Sequence, residues 1–117
     1  MKREYDILEK LCVAEQLTPT ITVNKGILGS VTLTKLGKLC ILSMSVKNSA
    51  ATPAGSNIFE GNIQSPRPKT LAGGSGYYGS CGMMLQITAT GNIAARIIGG
   101  TVPANGEVYG SVAYITN

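Results

Sequence analysis

The stretch Val31-Thr32-Leu33-Thr34-Lys35-Leu36-Gly37-Lys38-Leu39-Cys40-Ile41-Leu42-Ser43-Met44-Ser45-Val46-Lys47 decides the fold class of this chain. Val31 and Leu33 alternate with Thr32 and Thr34, and after Gly37-Lys38 the residues Cys40, Leu42, Met44 and Val46 alternate with Ile41, Ser43, Ser45 and Lys47. A period of two on both sides of a two-residue glycine turn predicts an antiparallel hairpin with one buried face. The register is tied to that pattern, because a slip of one residue would bury Ser43 and Ser45 and expose Leu42 and Met44.

The same period recurs outward from this hairpin. Ile58 to Ile63 reads as a short strand. Leu85, Ile87 and Ala89 alternate with Gln86, Thr88 and Thr90, Gly91-Asn92 reads as a two-residue hairpin turn, and Ile93 to Ile98 resumes the strand. Val108, Gly110, Val112, Tyr114 and Thr116 form the closing strand, on which Tyr109 and Tyr114 have opposite parity, so that one of them belongs to the core. Asn48 to Asn57 reads as a loop, and Ser65-Pro66-Arg67-Pro68 as a crossing between sheets, since two prolines remove ladder donors. The glycines of Gly73-Gly74-Ser75-Gly76 and Gly79 read as a sharply turning stretch holding Tyr77 and Tyr78. Seven or eight short strands of this kind predict an all-β fold, an antiparallel β-sandwich of jelly-roll type.

The amino terminus differs. Lys2 to Leu17 lacks glycine and proline, and Ile7, Leu8, Leu11, Cys12 and Ala14 recur at helical spacing before Thr18-Pro19 stops them. This predicts a short N-terminal α-helix over residues 1–18, followed by a β-sandwich head over residues 19–117. A helix this short is marginal alone in water, so its apolar side must pack, either on the head or on copies of itself in an oligomer.

Composition narrows the function. After Thr18 there is no histidine and no aspartate, and the only carboxylates are Glu60 and Glu107. A two-carboxylate glycosidase would have to use that pair. A cysteine nucleophile has no histidine as its base, and carboxylate-rich calcium sites lack ligands. The expectation is a non-enzyme with no cofactor and no metal. The three cysteines, Cys12, Cys40 and Cys81, lie far apart without zinc-site spacing, so reduced thiols are expected, with Cys40 in the core. Beyond Leu17, seven basic residues face two acidic ones, but they stand singly and without aromatic-rich strands. Neither a nucleic-acid partner nor a membrane partner is expected. No secretion signal is read at the N-terminus.

Three elements together carry a family resemblance: Gly29-Ser30-Val31-Thr32-Leu33-Thr34-Lys35-Leu36-Gly37-Lys38-Leu39-Cys40-Ile41-Leu42, the Pro66-Arg67-Pro68 crossing with Leu85-Gln86-Ile87 and Gly91-Asn92-Ile93, and the end Tyr109-Gly110-Ser111-Val112-Ala113-Tyr114-Ile115-Thr116. In this order they resemble the C-terminal head domains of tail-fibre, baseplate and receptor-binding proteins of tailed bacteriophages. The resemblance spans nearly all of Ile21 to Asn117. It implies a homotrimer of β-sandwich heads in the virion tail, assembled in the bacterial host cytoplasm beside other tail proteins, that binds host cell-surface polysaccharide. The N-terminal segment would then be a shaft end or a trimerisation helix. The chain is short for that family, which leaves a fragment, an accessory subunit or a partner-joining protein as options.

The ligand-binding candidates are Tyr77, Tyr78, Arg67 and Asn62. Tyrosines among glycines offer a flat apolar face and a hydroxyl to a sugar ring. The alternative is that one fills the sandwich edge while the other packs across a subunit boundary. Arg67 could bind an acidic or phosphorylated wall polymer or be a solvated loop residue, and Asn62 could bind saccharide hydroxyls or serve a turn. Other functions consistent with the sequence are a purely structural trimerisation or capping subunit, a wall-polysaccharide hydrolase using Glu60 and Glu107, and a cellular trimeric module resembling complement or tumour-necrosis-factor heads.

Overall fold

The computed structural model describes residues 14–117, and every regular element among them is a strand. The strands are β1 (Glu15–Leu17), β2 (Ile21–Lys25), β3 (Ile27–Leu36), β4 (Leu39–Lys47), β5 (Thr52–Pro53), β6 (Asn57–Ile63), β7 (Ala72–Tyr78), β8 (Cys81–Ile87), β9 (Asn92–Ile97), β10 (Thr101–Val102) and β11 (Val108–Ile115). Nine of them form one antiparallel sheet in the order β1-β3-β4-β11-β7-β8-β9-β6-β2, while β5 and β10 pair separately.

The β3–β4 hairpin has the register its alternation dictates: Leu36 pairs with Leu39 across Gly37-Lys38, and Leu33 with Leu42. Cys40, Leu42, Met44 and Val46 are buried, as expected. Ser45 departs from the pattern. It was expected on the solvent side, yet it is 4% exposed. A β-bulge between Leu28 and Val31 inserts an extra residue opposite it, which takes the Ser30 N–H out of the ladder. Ser45 Oγ accepts that N–H at 2.9 Å, and the two hydroxyls lie 3.2 Å apart.

The sheet curls because β2 and β3 are one stretch of chain bent at Gly26, which sits at φ +80°. Before the bend Lys25 pairs with Glu60 of β6, and after it Ile27 pairs with Lys47 of β4. One kinked segment therefore draws opposite ends of the sheet together, and a Cβ on residue 26 would overlap the Ile58 carbonyl oxygen. Leu33, Leu42 and Val46 from one half meet Ile58, Phe59, Leu85 and Ile97 from the other in a core filled chiefly by aliphatic side chains.

Three expectations are corrected. Of the helix expected over residues 1–18, residues 1–13 lie outside the described residues, and Glu15–Leu17 is a strand paired with Leu33 to Lys35. The edge of β3 offers unpaired donors and acceptors, and the residue before Pro19 is biased towards extended backbone. The glycine-rich stretch is not a turn but strand β7, paired with β8 along its whole length and with β11 at Ser75, Gly76 and Tyr77. The β8–β9 connection is longer than Gly91-Asn92: Thr88 N–H donates to the Asn92 carbonyl and Gly91 N–H to that of Thr88, both at 2.9 Å. That encloses three loop residues ending in Gly91 at φ +85°, the arrangement of a turn followed by a glycine bulge.

Glycine inside β7 has a packing reason. A Cβ at Gly74 would overlap the Ser111 carbonyl oxygen, and one at Gly76 that of Tyr109. Only bare backbone lets β11 lie this close. The Ser65–Pro68 segment, expected to cross between sheets, instead joins β6 to β7 of the same sheet, and β11 holds it: Tyr114 Oη donates to the Pro66 carbonyl at 2.9 Å and Thr116 Oγ1 to that of Arg67 at 2.6 Å.

Candidate functional site

Side chains that point away from the core line up in rows across the strands, because antiparallel registers place like parities opposite one another. At one end Leu36, Leu39 and Ile115 form a row, followed by Thr34, Ile41 and Ala113. Leu36, Leu39, Ile41 and Ile115 are each about two-fifths to one-half exposed, and a cleft of about 420 Å³ beside them is lined by Leu71, Ala72 and Ala113. The Leu36–Leu39–Ile115 row is apolar, while the cleft beside it also carries Lys69 and Thr70.

The next row is Thr32, Ser43, Ser111 and Ser75, one hydroxyl from each of the adjacent strands β3, β4, β11 and β7. With strands about 4.8 Å apart, it extends roughly 14 Å. Beyond it lie Ser45, Tyr109 and Tyr77, with Ser30 on the bulge. Tyr109 and Tyr77 are direct cross-strand neighbours, 54% and 63% exposed. These residues border an open groove of about 490 Å³ that has Gly76 and Gly110 in its lining and, among the described residues, no charged side chain.

Tyr109 Oη donates to Glu107 Oε2 at 3.0 Å. That bond to a carboxylate, reinforced by the carboxylate's charge, raises the Tyr109 pKa, so the phenol is neutral at ordinary pH and presents lone pairs to the groove. The remaining shifts belong to the core. Burial pushes Tyr114 up to about 12 and raises the Cys40 thiol. A buried thiol of raised pKa is a poor nucleophile.

Of the four predicted ligand contacts, only Tyr77 lines this groove. Tyr78 has the opposite parity, and its ring lies over Gly106. The two adjacent tyrosines thus cannot serve one ligand. Arg67 and Asn62 come together elsewhere, 3.4 Å apart from Nη2 to Oδ1. Arg67 Nε donates to the Ile63 carbonyl, and Asn62 Nδ2 to Asn92 Oδ1 and the Thr90 carbonyl. They brace the β8–β9 turn against the end of β6. Glu60 accepts from Asn57 Nδ2 at 2.9 Å and Glu107 from Tyr109, so the two carboxylates, one on β6 and the other just before β11, have separate partners, with β7, β8 and β9 between those strands in the sheet. Among the described residues, no group of three or more histidine, cysteine, aspartate and glutamate side chains is placed to hold a metal ion.

Sequence reasoning missed Tyr109, Thr32, Ser43, Ser75 and Ser111 as a group. Each stands at an outward position of an alternating strand, but the register that joins β11 to β7 is long-range and has no local signal.

No protein-family profile matches the chain, and no curated protein sequence matches it.

Proposed function

We propose that this chain is the head module of a phage tail or baseplate protein, homotrimeric in the virion, which adheres to saccharide on the host cell surface without catalysis. The observation that carries the proposal is the neutral groove in which a row of four hydroxyls runs beside the Tyr77–Tyr109 pair. Neighbouring exposed tyrosines supply flat apolar area, and the hydroxyls of adjacent strands supply donors and acceptors at regular spacing, the combination that a polyhydroxylated ring needs. The order of the sequence elements supports the phage assignment. The apolar row of the outer face, Leu36, Leu39 and Ile115, supports subunit contact, and in the assembled head the two halves of the curled sheet act as the layers of a jelly-roll-like sandwich.

Single sites of this open kind bind weakly, and three on one particle act together through effective concentration. Light scattering should give a trimer, and fluorescent protein should label cells of a susceptible bacterium. Tyr77→Ala should lower that labelling at least fivefold while far-UV circular dichroism stays unchanged. A monomer that does not label cells would refute the proposal. A second reading, a purely structural trimerisation or capping subunit, is favoured by the same apolar rows. It predicts a trimer with no cell labelling.

A further inference from the structure

We infer that the groove selects an uncharged, hydroxyl-rich chain and turns away polymers bearing phosphate or carboxylate. This rests on the saccharide reading above and adds the charge class of the ligand. Anion recognition uses cations or clusters of free N–H donors aimed at the bound oxygen atoms, and among the described residues the groove lining contains neither lysine nor arginine.

The charges around it do not supply what the lining lacks. Lys47 is the next outward position on β4 beyond Ser45, and continuing the Val46–Val108 register by one step sets it opposite Glu107. The two signs offset one another at that mouth. Glu107 is the charge bonded to a groove residue, through Tyr109 Oη. Because that phenol spends its proton on the carboxylate, it offers only acceptor capacity to the groove. A sugar hydroxyl can donate to it and an anionic oxygen cannot. At the other end, the hydroxyl row continues from Ser75 through Met84 to Arg96, two strands further on and outside the groove lining. Arg67, the residue that suggested phosphate binding, lies outside the groove, where it donates to the Ile63 carbonyl and to Asn62.

The test is NMR titration of the full-length protein at millimolar ligand, following the tyrosine ring signals. The probes are an uncharged α-glucan, β-glucan and β-galactan oligomer, an oligogalacturonate of matched length, and poly(glycerol phosphate). At least one uncharged oligomer should shift the Tyr77 and Tyr109 signals, with affinity that changes less than twofold between low and high salt. The double variant Ser43→Ala with Ser111→Ala, both at exposed positions, should weaken it about tenfold at unchanged thermal stability.

Tighter binding of oligogalacturonate or poly(glycerol phosphate) at the same tyrosines, falling steeply with salt, overturns the charge assignment and leaves the saccharide reading standing. Shifts by an uncharged oligomer that spare Tyr77 and Tyr109 also overturn it. Absence of response to every probe overturns both.

Discussion

Replacing Gly74 with alanine, beside the same change at Gly73, tests the joint on which the groove depends. Both residues lie in β7 and differ by one step, hence by face. A Cβ at Gly74 would overlap the Ser111 carbonyl oxygen and stand 2.8 Å from Val112 Cα and Cβ, whereas at Gly73 nothing lies within 4 Å. Neither position has a positive φ, so alanine fits the backbone at both and lowers the entropy of the unfolded chain, a gain of about 0.4–1 kcal/mol. At Gly73 that gain stands alone. At Gly74 it is set against overpacking, roughly 1–3 kcal/mol, and the upper end applies because the obstacles include backbone that cannot rotate away. The two variants should therefore differ by about 2–3 kcal/mol. At about 4–8 °C per kcal/mol for a domain near this size, Gly74→Ala should melt roughly 10–20 °C below Gly73→Ala. Thermal and urea unfolding followed by far-UV circular dichroism, at one protomer concentration so that association does not intrude, measures it. Equal stabilities, or the reverse order, would mean that β7 does not meet β11 in this register, and the hydroxyl row would dissolve with it.

Other outcomes follow from the same contacts. Ser45→Ala removes the acceptor of the bulged Ser30 N–H and should cost about 1–2 kcal/mol in urea unfolding, while Ser43→Ala, two residues away on the open row, should stay within about 0.5 kcal/mol. Tyr114→Phe loses the bond to the Pro66 carbonyl and should cost about 1 kcal/mol. Tyr114 also imposes a pH dependence: its folded pKa, about 12, lies above the ordinary tyrosine value near 10. The stabilisation is therefore fully present below about pH 10 and is lost as pH rises towards 12, and the decline in that window should be smaller in the phenylalanine variant. Asn62→Ala should loosen the β8–β9 turn by about 1–2 kcal/mol yet leave saccharide affinity within about twofold, since Asn62 does not line the groove. A large affinity loss there would return the site to the Arg67–Asn62 region.

Local chemistry alone determined much of this protein. The alternation from Val31 to Lys47, the Gly37-Lys38 turn, the burial of Cys40 and the split of Tyr109 from Tyr114 all depend on side-chain parity within a strand or across a tight turn, and parity is written in consecutive residues. Where a residue's role depends on a remote strand, the sequence was silent or misleading. Gly73 to Gly76 resembles a turn, yet Gly74 and Gly76 answer to the backbone of β11, some thirty-five residues on. Ser45 resembles a solvated serine because the bulge it satisfies lies on β3. Glu15 to Leu17 continues a helical spacing, yet the free edge of β3 draws it into the sheet. The groove belongs to the same class: each hydroxyl occupies an unremarkable outward position on its own strand, and only the curled sheet, bent at Gly26 and closed where bare glycine meets β11, sets them side by side. Periodicity fixes which face a side chain takes, but which faces become neighbours is settled by contacts between distant segments.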